Sequence, residues 1–149
     1  MTMRDLYNNV LPARAIQAQT ITGSAIASGD LDLKGFNAVQ VVVDFGDIDE
    51  MGASPEGAAQ IAIKLEHADD DGTGAAGSYS DVVLADVIGP SSVSAGVIAT
   101  PTTDAAPVRA GYVGGKRFLR VTLTPTGLTN GGPVGCWLLK GKPLHAPVS

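Results

Sequence analysis

The chain has 149 residues, of which 44% are hydrophobic and 17% charged, and its formal net charge is −5. This length suits one domain with a sizeable core, and the many aliphatic residues with a modest net charge exclude an intrinsically disordered protein. The single cysteine, Cys136, excludes a disulfide framework within the chain, and the sequence has no apolar run of about 18 residues, which excludes a membrane-spanning helix.

The two ends of the chain differ from its centre. Residues 1–13 have little periodicity and contain Pro12, so we predict an extended N-terminal arm. The first residues lack the apolar segment of a signal peptide, so we expect synthesis in the cytoplasm. Residues 142–149 contain Pro143 and Pro147, which cannot donate hydrogen bonds to a central strand, so we predict an extended C-terminal tail. Both ends are candidates for contact with a neighbouring subunit.

Residues 14–141 carry the pattern of a β domain. Short alternating or apolar segments bounded by Gly, Pro, Asp and Asn predict strands over residues 14–21, 31–33, 39–45, 60–67, 80–84, 93–100, 108–113, 117–124 and 134–140. Residues 39–45 are almost continuously apolar, which predicts a central strand covered on both faces. Residues 60–67 alternate, which predicts that Ile61, Ile63 and Leu65 point into the core. One short helix candidate, residues 55–59, is weakened by its glycine.

The number and spacing of these strands predict an all-β fold. We expect one β-sandwich, jelly-roll-like, flanked by the N-terminal arm and the C-terminal tail.

Charge is distributed unevenly along the chain. Residues 1–104 hold all 15 acidic residues and four basic residues, a net charge of −11, whereas residues 105–149 hold six basic residues and no acid. One interpretation is that complementary surfaces meet between copies or with a partner. The other is that strands from the two halves are neighbours and neutralise each other within one monomer.

No segment has the residue spacing that would predict a catalytic, cofactor or metal site. The three carboxylates at Asp69–Asp71 either bind a cation such as calcium or form a solvated turn, and the turn is favoured because the spacing departs from an EF-hand loop. The acidic segment at residues 44–50 is a candidate surface for a basic partner. The glycine-rich segment at 111–117 lacks the Lys-Ser/Thr ending of a phosphate-binding loop and predicts a tight turn.

These observations predict a binding or structural protein and not an enzyme. The acidic pI of about 4.7 and the few aromatic residues argue against nucleic acid as a partner. Cys136 lies in an apolar strand, which predicts a buried thiol.

Several segments together resemble small structural proteins of tailed bacteriophages, most closely head decoration (cement) proteins. The resemblance is carried by residues 17–23, 31–36, 67–72, 111–127 and 141–147, of which the stretch from Gly111 through Lys116-Arg117-Phe118 to Val121 is the most distinctive. It implies a virion protein made in the bacterial cytoplasm that binds the major capsid protein on the outside of the head. It also implies self-association, most often as a trimer, without catalytic residues or cofactors.

Within this hypothesis, the N-terminal arm is the expected contact with the capsid or a neighbouring copy. Arg4, Tyr7 and Arg14 are its predicted anchors, because Arg and Tyr are enriched at interface hot spots. Two alternatives remain open at this stage: another virion component, such as a head–tail connector or tail protein, and a carbohydrate-binding β-sandwich.

Overall fold

The computed structural model describes residues 5–52 and 59–145, and these residues form an antiparallel β-sandwich. The strands are β1 (Val10–Ile21), β2 (Ile26–Ala27), β3 (Leu31–Asp32), β4 (Phe36–Phe45), β5 (Gln60–Ala68), β6 (Ser80–Asp81), β7 (Val87–Ile88), β8 (Val97–Ala99), β9 (Val108–Tyr112), β10 (Phe118–Thr126) and β11 (Gly132–Pro143). The helix candidate at 55–59 lies almost wholly outside the described residues.

The strands pair in a nested order. One sheet runs β1-β11-β4-β9-β7, and the other runs β2-β10-β5-β6, with β3 also pairing with β10 and β8 with β5. The first strand therefore pairs with the last, β2 and β3 pair with β10, β4 pairs with β9, and β5 pairs with β6 and β8. A long hairpin rolled over itself gives this order, which is the connectivity of a jelly roll. The predicted all-β, jelly-roll-like sandwich is thus confirmed.

The core lies between the two sheets and follows the period of two expected of strands. Ile61, Ile63 and Leu65 of β5 are fully buried, as the alternation predicted, and they face the buried side chains of β4 and β11 across the sandwich. The prediction that residues 39–45 form a central strand is confirmed, but the prediction that both faces of this strand are covered is wrong. β4 is central in its sheet, but only Val39, Val41, Val43 and Phe45 are buried, because no third layer of described residues covers its other face.

The predicted boundaries of the domain need correction at both ends. β1 begins at Val10, inside the predicted arm of residues 1–13, and β11 continues to Pro143, inside the predicted tail. Pro12 is tolerated because β1 is the edge strand of its sheet and pairs only with β11. Before β1 the chain is not extended either. The Asp5 carboxylate accepts hydrogen bonds from Asn8, and the Leu6 carbonyl accepts the Asn9 and Val10 amides, which closes a turn.

Other strands are shorter than predicted. Of residues 80–84 only Ser80 and Asp81 pair, and a 3₁₀ turn at Leu84–Asp86 follows, while residues 93–100 contribute only β8. No helix among the described residues is long and apolar enough to cross a membrane.

The acidic loop after β4 holds a second loop in place. The Glu50 carboxylate accepts hydrogen bonds from the amides of Thr129, Asn130 and Gly131 in the β10–β11 connection, and these bonds lower the pKa of Glu50. Ile48 beside it is completely buried. Part of the predicted partner surface at residues 44–50 therefore serves an internal role, while Asp44, Asp47 and Asp49 remain exposed.

Candidate interaction face

The outer side of the β1-β11-β4-β9-β7 sheet, which we call the binding face, carries a row of large exposed side chains. The strand register places Arg14, Trp137, Val42 and Arg109 directly beside one another on four neighbouring strands. Cβ atoms alternate sides along a strand, and the adjacent residues Cys136, Leu138, Val41 and Val43 are buried, so this row points away from the core. Trp137 is 46% exposed.

A second row extends the binding face to the edge of the sheet. Pro12, Leu139, Gln40, Gly111 and Ile88 follow one another across the five strands. Ile88 is 63% exposed and lies beside Gly111, where an added Cβ would meet the Ile88 Cβ at 3.4 Å. Beyond this row, next to the N-terminal turn, lies an apolar depression of about 350 Å³ lined mainly by Leu6, Val10, Ala38, Leu139 and Gly141.

The predicted anchors fall in different places. Arg14 lies on the binding face beside Trp137, and Tyr7, 88% exposed, lies in the N-terminal turn next to Leu6, which lines the depression. Arg4 lies outside the described residues. The structure therefore places Arg14 in the row of Trp137 and leaves Tyr7 exposed in the N-terminal turn beside Leu6, which is 68% exposed.

The outer side of the opposite sheet is a closed ionic network. Arg120 donates two hydrogen bonds to Glu66, at 3.0 and 2.9 Å, and its guanidinium lies 4.0 Å from the centre of the Tyr79 ring. Lys64 bridges Glu66 and Asp81, at 3.3 and 2.7 Å. The two outer faces of the sandwich therefore differ in character, since one carries the exposed Trp137 with Arg14 and Arg109, and the charges of the other are paired with one another.

The arginines also differ between the two outer faces of the sandwich. Arg117 pairs with Asp32 and Asp70, and Arg120 pairs with Glu66, so these basic residues of the C-terminal part neutralise acids of the N-terminal part within one monomer. The monomer interpretation of the uneven charge is therefore supported for this region. Arg14 and Arg109 make no ion pair within the described part of the chain.

The Asp70 and Asp71 carboxylates in the acidic turn at residues 69–71 accept hydrogen bonds from nearby backbone amides. Asp70 accepts the amides of Gly72 and Gly74 and pairs with Arg117, and Asp71 accepts the amide and hydroxyl of Thr73. These contacts lower the pKa of both carboxyl groups, the backbone bonds being the main cause for Asp70 and the Thr73 hydroxyl for Asp71. Within residues 5–52 and 59–145, no group of three or more His, Cys, Asp and Glu side chains is placed to hold a metal ion.

Three titratable side chains, those of His67, Tyr112 and Cys136, are buried. The Tyr112 hydroxyl lies 3.0 Å from His67 Nδ1 and accepts the Lys116 amide at 3.2 Å, which links the two sheets. Burial lowers the pKa of His67, which favours the neutral ring, and Nδ1 of this ring shares a hydrogen bond with the Tyr112 hydroxyl. Burial also raises the pKa of Cys136 to about 12, which leaves the thiol protonated and unreactive, as its apolar strand predicted.

Sequence reasoning missed Trp137, Arg109 and Ile88 as parts of one surface. The sequence contained a signal for Trp137, because it stands between Cys136 and Leu138. Alternation along the strand points those two residues inward and Trp137 outward. The neighbourhood of Arg109 and Ile88 had no such signal, since it depends on the order in which β4, β9 and β7 pair.

Comparisons with known proteins identify no family. No family model matches the chain, and no curated protein matches it. A solved structure described as a Bacillus endospore appendage, from a family of disulfide-linked pili, aligns with a TM-score of 0.37 and 11% identity over 90% of this chain and 88% of that chain. A TM-score this low does not establish a shared fold.

Proposed function

We propose that this chain is a structural protein of a bacteriophage virion, which attaches to the outside of the head and bridges major capsid protein subunits. It acts by binding, not by catalysis. The virion assignment rests on the sequence segments that resemble head decoration proteins. The mode of action rests on one structural observation, the contrast between a binding face with an exposed tryptophan and two arginines that make no ion pair within the described residues, and an opposite face whose charges are paired.

That contrast supports an assembly role for a physical reason. Soluble monomers rarely expose large contiguous apolar surfaces, and an exposed Trp flanked by arginines has the composition of an interface centre. Trp137 lies on β11 between Arg14 and Val42, and Arg109 ends the same row two strands away. A rigid sandwich with such a face suits a protein that must hold neighbouring subunits together.

The capsid contact is assigned to the N-terminal turn. Leu6 and Tyr7 project from it, and the Asp5 carboxylate holds the turn in shape. Since β1 begins at Val10, a variant lacking residues 1–9 keeps every described strand and should fold. We expect this variant and Tyr7→Ala to lose occupancy on purified heads, with Thr20→Ala, an exposed position of β1, as the matched control.

The first test of the virion assignment is the copy number in purified particles, measured by quantitative mass spectrometry against the major capsid protein. A decoration protein is present in numbers on the order of the capsid protein itself, whereas a connector or tail ring holds about six or twelve copies. Absence from the particle would overturn the proposal.

One observation favours carbohydrate binding as a second candidate. Trp137 presents a half-exposed ring on a flat sheet face, and aromatic rings of this kind stack on sugars. A glycan screen with hits that Trp137→Ala abolishes would favour this candidate over the virion role. The described side chains next to Trp137 in its row are Arg14, which offers donors and no acceptor to sugar hydroxyls, and Val42, which offers neither.

A further inference from the structure

The binding face carries the features of a surface that recognises a copy of itself. Trp137 and Gly135 stand on the same side of β11, two residues apart, so a bulky ring and a residue without a side chain lie in adjacent rows. Asp44 lies opposite Gly135 on the neighbouring strand, one row from Val42 and Arg109. Gly135 and Trp137 are thus offset by about 7 Å along the strands, and Asp44 and Arg109 are offset by the same distance in the same direction.

From this offset we infer that a second copy of the chain covers the binding face. The two sheets pack face to face about a twofold axis that runs across the strands between the two rows. Such an axis sets Trp137 of each copy over Gly135 of the other and brings Arg109 beside the other copy's Asp44. Both contacts form twice, because a twofold interface uses the same surface patch on each partner.

Charge and size are consistent with this occupant. Arg109 has no ion-pair partner within the described residues, and Asp44 is exposed, with one of its oxygens accepting only the adjacent Phe45 amide. The face tapers from 12 residues on β1 and β11 to two on β7, so it measures roughly 650 Å², somewhat less than the ~800 Å² that each partner contributes to a standard interface. Such a pair closes on itself, unlike the trimer that the resemblance to decoration proteins implies.

Sedimentation equilibrium of the full chain tests this inference, with intrinsic fluorescence as a second readout because Trp137 is the only tryptophan. We expect a dimer whose tryptophan emission shifts to longer wavelength on dilution. Trp137→Ala should raise the dissociation constant by about 30-fold or more, the effect of removing an interface hot spot. Gly135→Leu should also weaken the dimer while leaving the monomer folded, since a Cβ at Gly135 meets only Ala18, at 3.7 Å.

Exchanging the charges of Asp44 and Arg109 tests whether these two residues meet across the dimer interface. Asp44→Arg and Arg109→Asp should each raise the dissociation constant several-fold, and the double variant should recover the wild-type value because both ion pairs are restored with reversed sign. Lys34→Asp, at an exposed position off the face, should change nothing. Thermal melting verifies that each variant is folded.

Two results would overturn the inference: a chain that stays monomeric at millimolar concentration, or a dimer whose dissociation constant ignores Trp137→Ala and the charge exchange. In the first case the face is left to a different partner. Neither result bears on the copy number in particles, so the proposed virion role stands or fails separately.

Discussion

Tyr112→Phe tests whether the hydrogen bond between the sheets stabilises the fold. The substitution keeps the ring and removes one hydroxyl, which lies 3.0 Å from His67 Nδ1 and 3.2 Å from the Lys116 amide nitrogen. His67 is 8% exposed and Tyr112 5%, so in the variant the imidazole nitrogen has little access to water as a replacement partner. A buried polar nitrogen left without a hydrogen-bond partner costs about 1–3 kcal/mol, and the half-buried Lys116 amide adds less because water reaches it.

The expected loss of about 2 kcal/mol is measurable in two ways. Urea unfolding should show a lower midpoint with an unchanged slope, and the melting temperature should fall by about 4–8 °C for a chain of this size. Tyr7→Phe is the matched control, since it removes the same atom from a side chain that is 88% exposed. If the free energies of unfolding of Tyr112→Phe and Tyr7→Phe agree within about 0.5 kcal/mol, the hydrogen bond contributes nothing and the reasoning is refuted.

Three further outcomes are expected. Burial lowers the pKa of His67, so the unfolded chain takes up a proton before the folded one, and stability should decrease as pH falls from 7 to 5; His67→Gln should flatten urea midpoints over this range. Leu65→Ala should cost about 2–5 kcal/mol of unfolding free energy, whereas Val83→Ala, at an exposed position, should change it by less than about 0.5 kcal/mol. Cys136 should resist a thiol reagent at pH 8 in the native protein and react in denaturant, because burial raises its pKa to about 12.

The long strands could be predicted from the sequence because alternation and burial agree there. Residues 60–67 are the best case, since the three predicted inward positions are completely buried in β5. Residues 39–45 show the limit of the same rule. A continuous apolar run indicates a central strand, but it does not say whether the outward side chains are covered by another layer or await a partner.

The short strands and the boundaries could not be predicted. β2, β6 and β7 contain two residues each, too few to show a period, and they pair because the long strands β5, β9 and β10 present free hydrogen-bonding groups to them. Pro12 argued against a strand only under the assumption of a central position. On an edge strand its missing N–H costs nothing, so the error came from not knowing the order of the strands.

The uneven charge is better explained by the fold than by a partner. The nested pairing brings β10 beside β3 and β5, and Arg117 and Arg120 thereby reach Asp32 and Glu66. Once these pairs are formed, the large opposite charges of the two halves no longer indicate a separate complementary surface. The evidence for a partner surface comes from Arg109, which makes no ion pair within the described residues. It belongs to the basic half of the chain but stands on the sheet that contains no part of the ionic network. An exposed arginine that makes no ion pair within the described residues and stands in the row of an exposed tryptophan is better evidence for a contact than the net charge of either half.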